Sequence, residues 1–326
     1  MKDQSIVIPE GLHRRGDRRE IGTVVERAPG KLNLTLAVIA RRSDGYHDIE
    51  SLMVPVSLAD TVSVRSNDAG RFTLEVSTAG RLSRGKVPAG DVPADDTNLV
   101  LRAARLLAAE SGEQRGLDIV LCKEIPAGSG LGGGSSDAAA LLRAACVAWG
   151  LTWPAERLAA VGARIGSDVP WFFAGGAAIV SGRGERVGPS LPIGAGWAVI
   201  ARPESGLSTP AVYRECRPDG ARRGSAAAVA TALAEGRWRS AVAGLGNDLE
   251  PAALRLSPDV GRLLAALRAA GAVRPLLTGS GSACFALTRG QFEARRIAAR
   301  LEARGWPGVW VVRTGGEVIG SASRAA

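Results

Sequence analysis

The 326-residue sequence predicts two α+β domains in series. Three observations carry that expectation. Strand-like runs fill residues 21–77, followed up to about 190 by helices, a strand and a glycine-rich turn. The character changes after Pro192, where Ala/Leu helices dominate 224–271 and two short strands flank a Gly/Ser loop. No segment repeats at a solenoid period. The expected layout is a mobile extension over 1–21, a first domain over 22–190 and a second over 191–326.

Within the first domain, TVVERA, KLNLTLAVIA, HDIESLMVPVS, TVSVR and FTLEVS are separated by turn signals such as SDG and NDAG, the mark of strands. Residues 81–97 are rich in Pro, Gly and Asp and read as loop. Asn98 to Gly112 reads as helix because Leu99, Ala103, Leu106 and Leu107 share a face. LDIVLC (117–122) is strand-like. A helix is expected from about Ser135 to Trp149, and a second from Pro154 that breaks at Gly166-Ser-Asp-Val-Pro before AAIVSG resumes as strand. In the second domain WAVIAR is a strand, a helix spans 290–303 and VWVVRT is the last strand.

Net charge is +9, and only Lys2, Lys31, Lys86 and Lys123 among the 41 basic residues are lysines. A basic balance suits an anionic small substrate or nucleic acid. Nucleic acid is not expected, because aromatics are only 4% and the arginines are dispersed among acids. The one basic cluster, HRRGDRR at 13–19, lies in the expected extension. No apolar run approaches the ~18 residues of a membrane span, and the first twenty residues lack a signal peptide's apolar core. A cytoplasmic protein with no membrane partner is expected. Cys122, Cys146, Cys216 and Cys284 are far apart, with no CxxC, which argues against zinc or a disulfide framework.

The stretch IPAGSGLGGGSSDAAALL (125–142) places five glycines within 128–134, directly before a helix. Gly128, Gly130 and Gly133 satisfy GxGxxG, but no acid stands at a strand end about 20 residues on, as a dinucleotide fold requires. A P-loop lysine is absent too. Converging amides and a helix N-terminus still make an anion cradle. Ser135 and Ser136 fall in the first turn, where hydroxyls cap a helix or meet phosphate and magnesium; Asp137 most simply stabilises that turn. Elsewhere, Lys31 and Asn33 share one face of a strand, which is equally the solvated side of a sheet. Ser43-Asp-Gly-Tyr-His47 is a turn that also offers a stacking platform. Asp168 is a lone carboxylate before an apolar run, and Leu277 to Ala283 is a second small-residue loop.

Taken in order, APGKLNL, SDGYHDIESL, DTNLVLRAARLL, IPAGSGLGGGSSDAAALL, GSDVPWF, LSTPAVY and LTGSGSACFAL resemble the GHMP kinase superfamily over about residues 22–315. DGYH points to its branch acting on diphosphocytidyl-methylerythritol. The resemblance implies a ribosomal-protein-S5-like N-terminal domain, a ferredoxin-like C-terminal domain and an active site in the cleft between them. It implies transfer of the γ-phosphate of ATP, with magnesium, to the substrate's 2-hydroxyl, in the non-mevalonate route to isoprenoids. Asp168 is then the general base, and Lys31 pairs with it and neutralises charge near the phosphoryl group. Asn98, Leu99, Lys123 and Pro126 fall on the nucleotide side, and Gly128, Gly130, Leu131, Gly132, Gly133, Gly134, Ser135 and Ser136 wrap the triphosphate. Asn33 is placed to hydrogen-bond substrate, Tyr46, His47 and Tyr213 fall on the substrate side as cytosine clamp with Thr209 and Pro210 lining the same pocket, and Gly279 and Ser280 close the cleft. Gly30 and Ser167 stand where the family commonly has Ala, and Tyr213 where Phe is frequent. No carboxylate suggests itself as a metal ligand. A monomer or weak homodimer is expected. A different acceptor (homoserine, mevalonate or a sugar), a non-catalytic nucleotide-binding scaffold and a dinucleotide oxidoreductase are the competing readings.

Overall fold

The computed structural model describes residues 22–83, 92–217, 225–315 and 323–324. The expected extension at 1–21, much of the 81–97 loop and most of the C-terminal tail lie outside the described residues. The first half carries β1 (Val24–Asn33), β2 (Thr35–Arg41), β3 (His47–Asn67), β4 (Phe72–Thr78), the single turn α1 (Gly80–Ser83), α2 (Leu99–Ser111), β5 (Gly116–Lys123), α3 (Gly133–Trp149), α4 (Ala155–Ala163), β6 (Ala178–Gly182) and β7 (Arg186–Val187). The second half carries β8 (Gly196–Arg202), α5 (Thr209–Glu215), α6 (Ala226–Ala234), α7 (Trp238–Ala243), β9 (Gly246–Asn247), α8 (Glu250–Leu256), α9 (Pro258–Ala269), β10 (Leu276–Leu277), β11 (Cys284–Thr288), α10 (Gln291–Glu302), β12 (Gly308–Thr314) and β13 (Ser323–Arg324).

Two runs read as separate strands, HDIESLMVPVS and TVSVR, are one 21-residue strand, β3. The reason is Asp60, fully buried in mid-strand. Its carboxylate accepts the amides of Glu124 at 2.6 Å and Ile125 at 2.8 Å, so a residue that reads as a break is satisfied inside the sheet. Successive stretches of β3 pair antiparallel with β2, β6, β1 and β5. Val56 of β3 also faces Thr314 of β12, joining the strands of the two halves.

Apolar periodicity explains how the layers stack. α2, α3 and α4 lay Leu107, Leu141, Leu142 and Leu158 on the first half's strands, with Trp171 and Phe172 of the 3-10 turn Pro170–Phe173. α2 starts where Asn98 Oδ1 accepts the Val100 amide at 2.9 Å and stops at Gly112. In β8 and β11, alternate residues serve opposite cores. Val199, Ala201, Cys284 and Ala286 meet Leu263, Leu264, Ile297 and Leu301 of α9 and α10. Ile200 and Phe285 join Leu32, Leu34, Val54 and Val56 from the first half. A sheet covered on both faces is why WAVIA reads as a continuous apolar run. The four cysteines are free thiols.

Candidate active site

A cleft of about 1150 Å³ runs between the start of β3, the glycine loop and α5. Of the residues the sequence singles out, all but Leu131 and Ser136 line it. Leu131 is buried in the core, where it offers its carbonyl to the Lys31 amide at 2.9 Å. Ser136 is fully buried, and its hydroxyl has no hydrogen-bond partner.

At one end of β1, Lys31 Nζ lies 3.7 Å from Asp168 Oδ2, although 137 residues of chain separate them. The ammonium also donates to Asn33 Oδ1 at 2.6 Å and to the Gly130 carbonyl at 2.7 Å. Lys31 and Asn33 therefore face inward, and the solvated-face reading fails. Asn33 Nδ2 in turn donates to Ser51 Oγ at 2.8 Å, which donates to the Thr35 carbonyl at 2.5 Å. Burial pushes the Lys31 ammonium below the usual lysine range, with Asp168 opposing. Asp168 sits on the turn after α4, where the Val169 amide reaches the Gly166 carbonyl at 3.2 Å.

The glycine loop ends at α3, whose N-cap is Gly132 with no side-chain cap. The helix leaves the amides of Gly133, Gly134 and Ser135 without helical partners and open to an anion. Other glycines are there for packing. Gly130, at φ 77°, lies so close to the loop after β10 that a methyl group would strike the Thr278 carbonyl oxygen and come 3.0 Å from the Gly281 nitrogen. The two loops are pinned together: the amides of Ser282 and Ala283 reach the carbonyls of Gly128 at 3.3 Å and Ser129 at 3.1 Å. Gly279 and Ser280 thus belong to a loop already docked on the glycine loop. Asn247, which sequence reasoning missed, donates to the Leu277 and Gly279 carbonyls at 2.9 and 2.8 Å and holds that loop.

Beneath the loop lies a charge cluster that the sequence alone did not reveal. Lys123 Nζ donates to Asp137 Oδ2 at 2.6 Å and also to Asp60 Oδ2, all three residues being buried. Asp137, expected to stabilise the first turn of the helix, instead engages Lys123 in the interior. Burial raises its carboxyl well above the usual range, outweighing Lys123. Burial also opposes the Lys123 charge, but Asp137 and Asp60 together hold its ammonium above its usual value. Its spacing from Asp137 (one helix turn beyond the loop) was the available signal.

At the far end, the His47 ring stands 5.2 Å from the Tyr213 ring at 33°, while Tyr46 is exposed. His47 and Tyr213 already touch, so these two do not form an open sandwich. Burial and Arg41 lower the His47 pKa, favouring a neutral imidazole that can read a base edge. Thr209 and Ser280 hydroxyls share a hydrogen bond of 2.7 Å.

Residues 98–176 match the model of the GHMP kinases' N-terminal domain, and residues 229–307 that of their C-terminal domain. The chain is 42% identical to the 4-diphosphocytidyl-2-C-methyl-D-erythritol kinase of Kineococcus radiotolerans, over 87% of each sequence. The chain belongs to this kinase family. The kinase of the same name from Thermobifida fusca is 43% identical, over 87% of this chain and 92% of its own. A crystal structure of 4-(cytidine 5'-diphospho)-2C-methyl-D-erythritol kinase superposes with a TM-score of 0.72 at 37% identity, over 90% of this chain and 99% of that one. Homoserine kinase from Cytophaga hutchinsonii reaches the same TM-score of 0.72 at 19% identity, which is a likeness of fold alone. The fold is that of the GHMP kinases, with both of their domains present. Among the described residues, no helix is long and apolar enough to cross a membrane.

Proposed function

We propose that this enzyme transfers the γ-phosphate of ATP to the 2-hydroxyl of 4-diphosphocytidyl-2-C-methyl-D-erythritol, a step of isoprenoid synthesis. The observation that carries the reading is the meeting of Lys31 and Asp168 at 3.7 Å beside an open helix N-terminus. Phosphoryl transfer needs positioning and charge stabilisation more than covalent chemistry. The amides of Gly133, Gly134 and Ser135 offer the triphosphate a cradle, aided by the roughly half positive charge of a helix start. Asp168 accepts the proton of the attacking hydroxyl. Lys31, tied to Asn33 and Gly130, holds a fixed positive charge between that carboxylate and the cradle. Neutral His47, with Tyr46 and Tyr213, suits an aromatic pyrimidine at the other end.

Magnesium would accompany ATP. Among the described residues no three His, Cys, Asp or Glu side chains gather as a metal site. Asp60 and Asp137 are engaged by Lys123. Such a donor set fits an ion held chiefly by the nucleotide's phosphates, with the Ser135 hydroxyl at the cradle's edge; when bound, it would offset phosphate charge. The domain boundary near residue 190 and a cytoplasmic location are part of the same reading.

The test is ADP release with a panel of acceptors. The expected result is turnover with the diphosphocytidyl substrate and none with homoserine or mevalonate. Turnover with either of those instead, or ATP binding without any turnover, refutes the assignment.

A further inference from the structure

The proposed acceptor is an ester of a nucleoside diphosphate. Its base and its alcohol have partners in the site described above, while its diphosphate has none so far. That diphosphate must cross the interval between the aromatic end of the cleft and Asp168. Of the cations lining the cleft, Arg183 stands on the turn that borders this interval. Gly182, the last residue of β6, pairs with Ile49 of β3, so the β6–β7 turn begins beside the strand end that carries His47. The next residue, Arg183, lines the cleft and sets its guanidinium 4.9 Å from the centre of the Tyr46 ring. Gly184 then packs on the transfer centre: a methyl group there would lie 3.3 Å from Asp168 Oδ1. Consecutive residues of one tight turn thus touch both ends of the proposed acceptor site.

We propose, resting on that identity of the acceptor, that Arg183 binds its diphosphate and so reads a nucleoside diphosphate against an uncharged nucleoside. A guanidinium can lie on an aromatic ring and still present its planar donors to phosphate oxygens. Its charge is compensated only at a distance, by Asp44, itself paired with Arg42, and by Glu185. Glu185 is 3.9 Å away, and its Oε2 already accepts the Arg183 backbone amide at 2.6 Å. The side chain is one-third exposed, within reach of a ligand entering from solvent. Arg41, beside His47, and Arg214, next to Tyr213, line the same cleft and add to a positive field at that end.

The experiment compares CDP and cytidine as binding probes by calorimetry, on wild type, Arg183→Gln and Arg183→Lys. A charge-assisted contact of this kind predicts a roughly tenfold loss of CDP affinity in the Gln variant. Affinities for cytidine and for ATP should change less than about twofold, and the Lys variant should fall between wild type and Gln. An equal loss for CDP and cytidine would mean that Arg183 merely props Tyr46, and overturns the inference. So does no loss, or a Lys variant as weak as Gln. These probes require no turnover. Failure of wild-type enzyme to phosphorylate the diphosphocytidyl acceptor therefore counts against the function, and failure of the CDP comparison counts against Arg183.

Discussion

Replacing Asp168 by Asn separates chemistry from stability, because the structure assigns the two very different magnitudes. The carboxylate is 29% exposed and its ion pair with Lys31 spans 3.7 Å. Lys31 itself is buried, but its partner is partly solvated and the contact is long, which keeps the pair near the scale of a surface pair, about 1 kcal/mol. The turn that carries it is held by backbone bonds, and Lys31 keeps its bonds to Asn33 and Gly130. The expected shift in Tm is therefore about 2 °C or less. Loss of a general base costs ~10²- to 10⁴-fold in rate, or roughly 3–5 kcal/mol of transition-state stabilisation. Steady-state ADP release at saturating substrates, run beside thermal unfolding, should show kcat down at least ~100-fold with KM for ATP unchanged. A fall in kcat below tenfold would reduce Asp168 to an electrostatic neighbour. A fall in Tm of many degrees would mean that the carboxylate holds the turn.

The buried cluster and the packed loop give further expectations. Lys123→Met leaves the buried Asp60 carboxylate without its cation and should cost about 3–5 kcal/mol in urea unfolding. Because the Asp137 carboxyl is raised, the folded chain keeps a proton that the unfolded chain has lost, so this stability is present at low pH and disappears as pH climbs through the folded pKa. Asp137→Asn should accordingly be no less stable than wild type at pH 8 and lose that pH dependence; strong destabilisation there would show the ionised carboxylate to be required. Gly130→Ala forces a methyl group into the Thr278 carbonyl at positive φ and should cost about 2–4 kcal/mol, whereas Gly134→Ala, whose methyl meets only Leu99 at 3.5 Å, should leave unfolding unchanged. Lys31 is lowered, so between its folded pKa and the ordinary lysine value the folded chain holds fewer protons and stability rises with pH, while activity falls as the ammonium is lost. The alkaline limb of kcat should thus lie below the range of an exposed lysine and vanish in Lys31→Arg; a profile flat into that range contradicts the burial argument.

Much of the fold was legible because its helices carry strong periodic faces and its turns carry Gly, Asp and Asn. Long-range compensation was not legible. Asp60 reads as a turn residue, and only the folded chain supplies the Lys123 ammonium and two amides that let a carboxylate sit inside a strand. The glycine loop read as a phosphate cradle throughout, but close backbone approach to another loop is invisible at a distance of some 150 residues, so Gly130 went unrecognised as a packing glycine. Lys31 and Asp168 could be paired from sequence only through family resemblance, since nothing local in either segment points to the other. Nothing in GRGER (182–186) singles out Arg183; its worth depends on Tyr46, reached only through the β3–β6 register.

The unbroken run of β3 has a mechanical consequence. His47 stands at its start, and Pro55, further along, is registered against Lys31. In the proposed binding mode, the gap from nucleobase to phosphoryl acceptor is gauged by extended backbone bolted to neighbours on both edges, which cannot stretch or shorten without tearing ladder bonds. Candidate molecules are measured end to end by a rigid caliper. On that binding mode, a homologue one phosphate shorter fills either jaw but not both, and is expected to block the enzyme instead of feeding it.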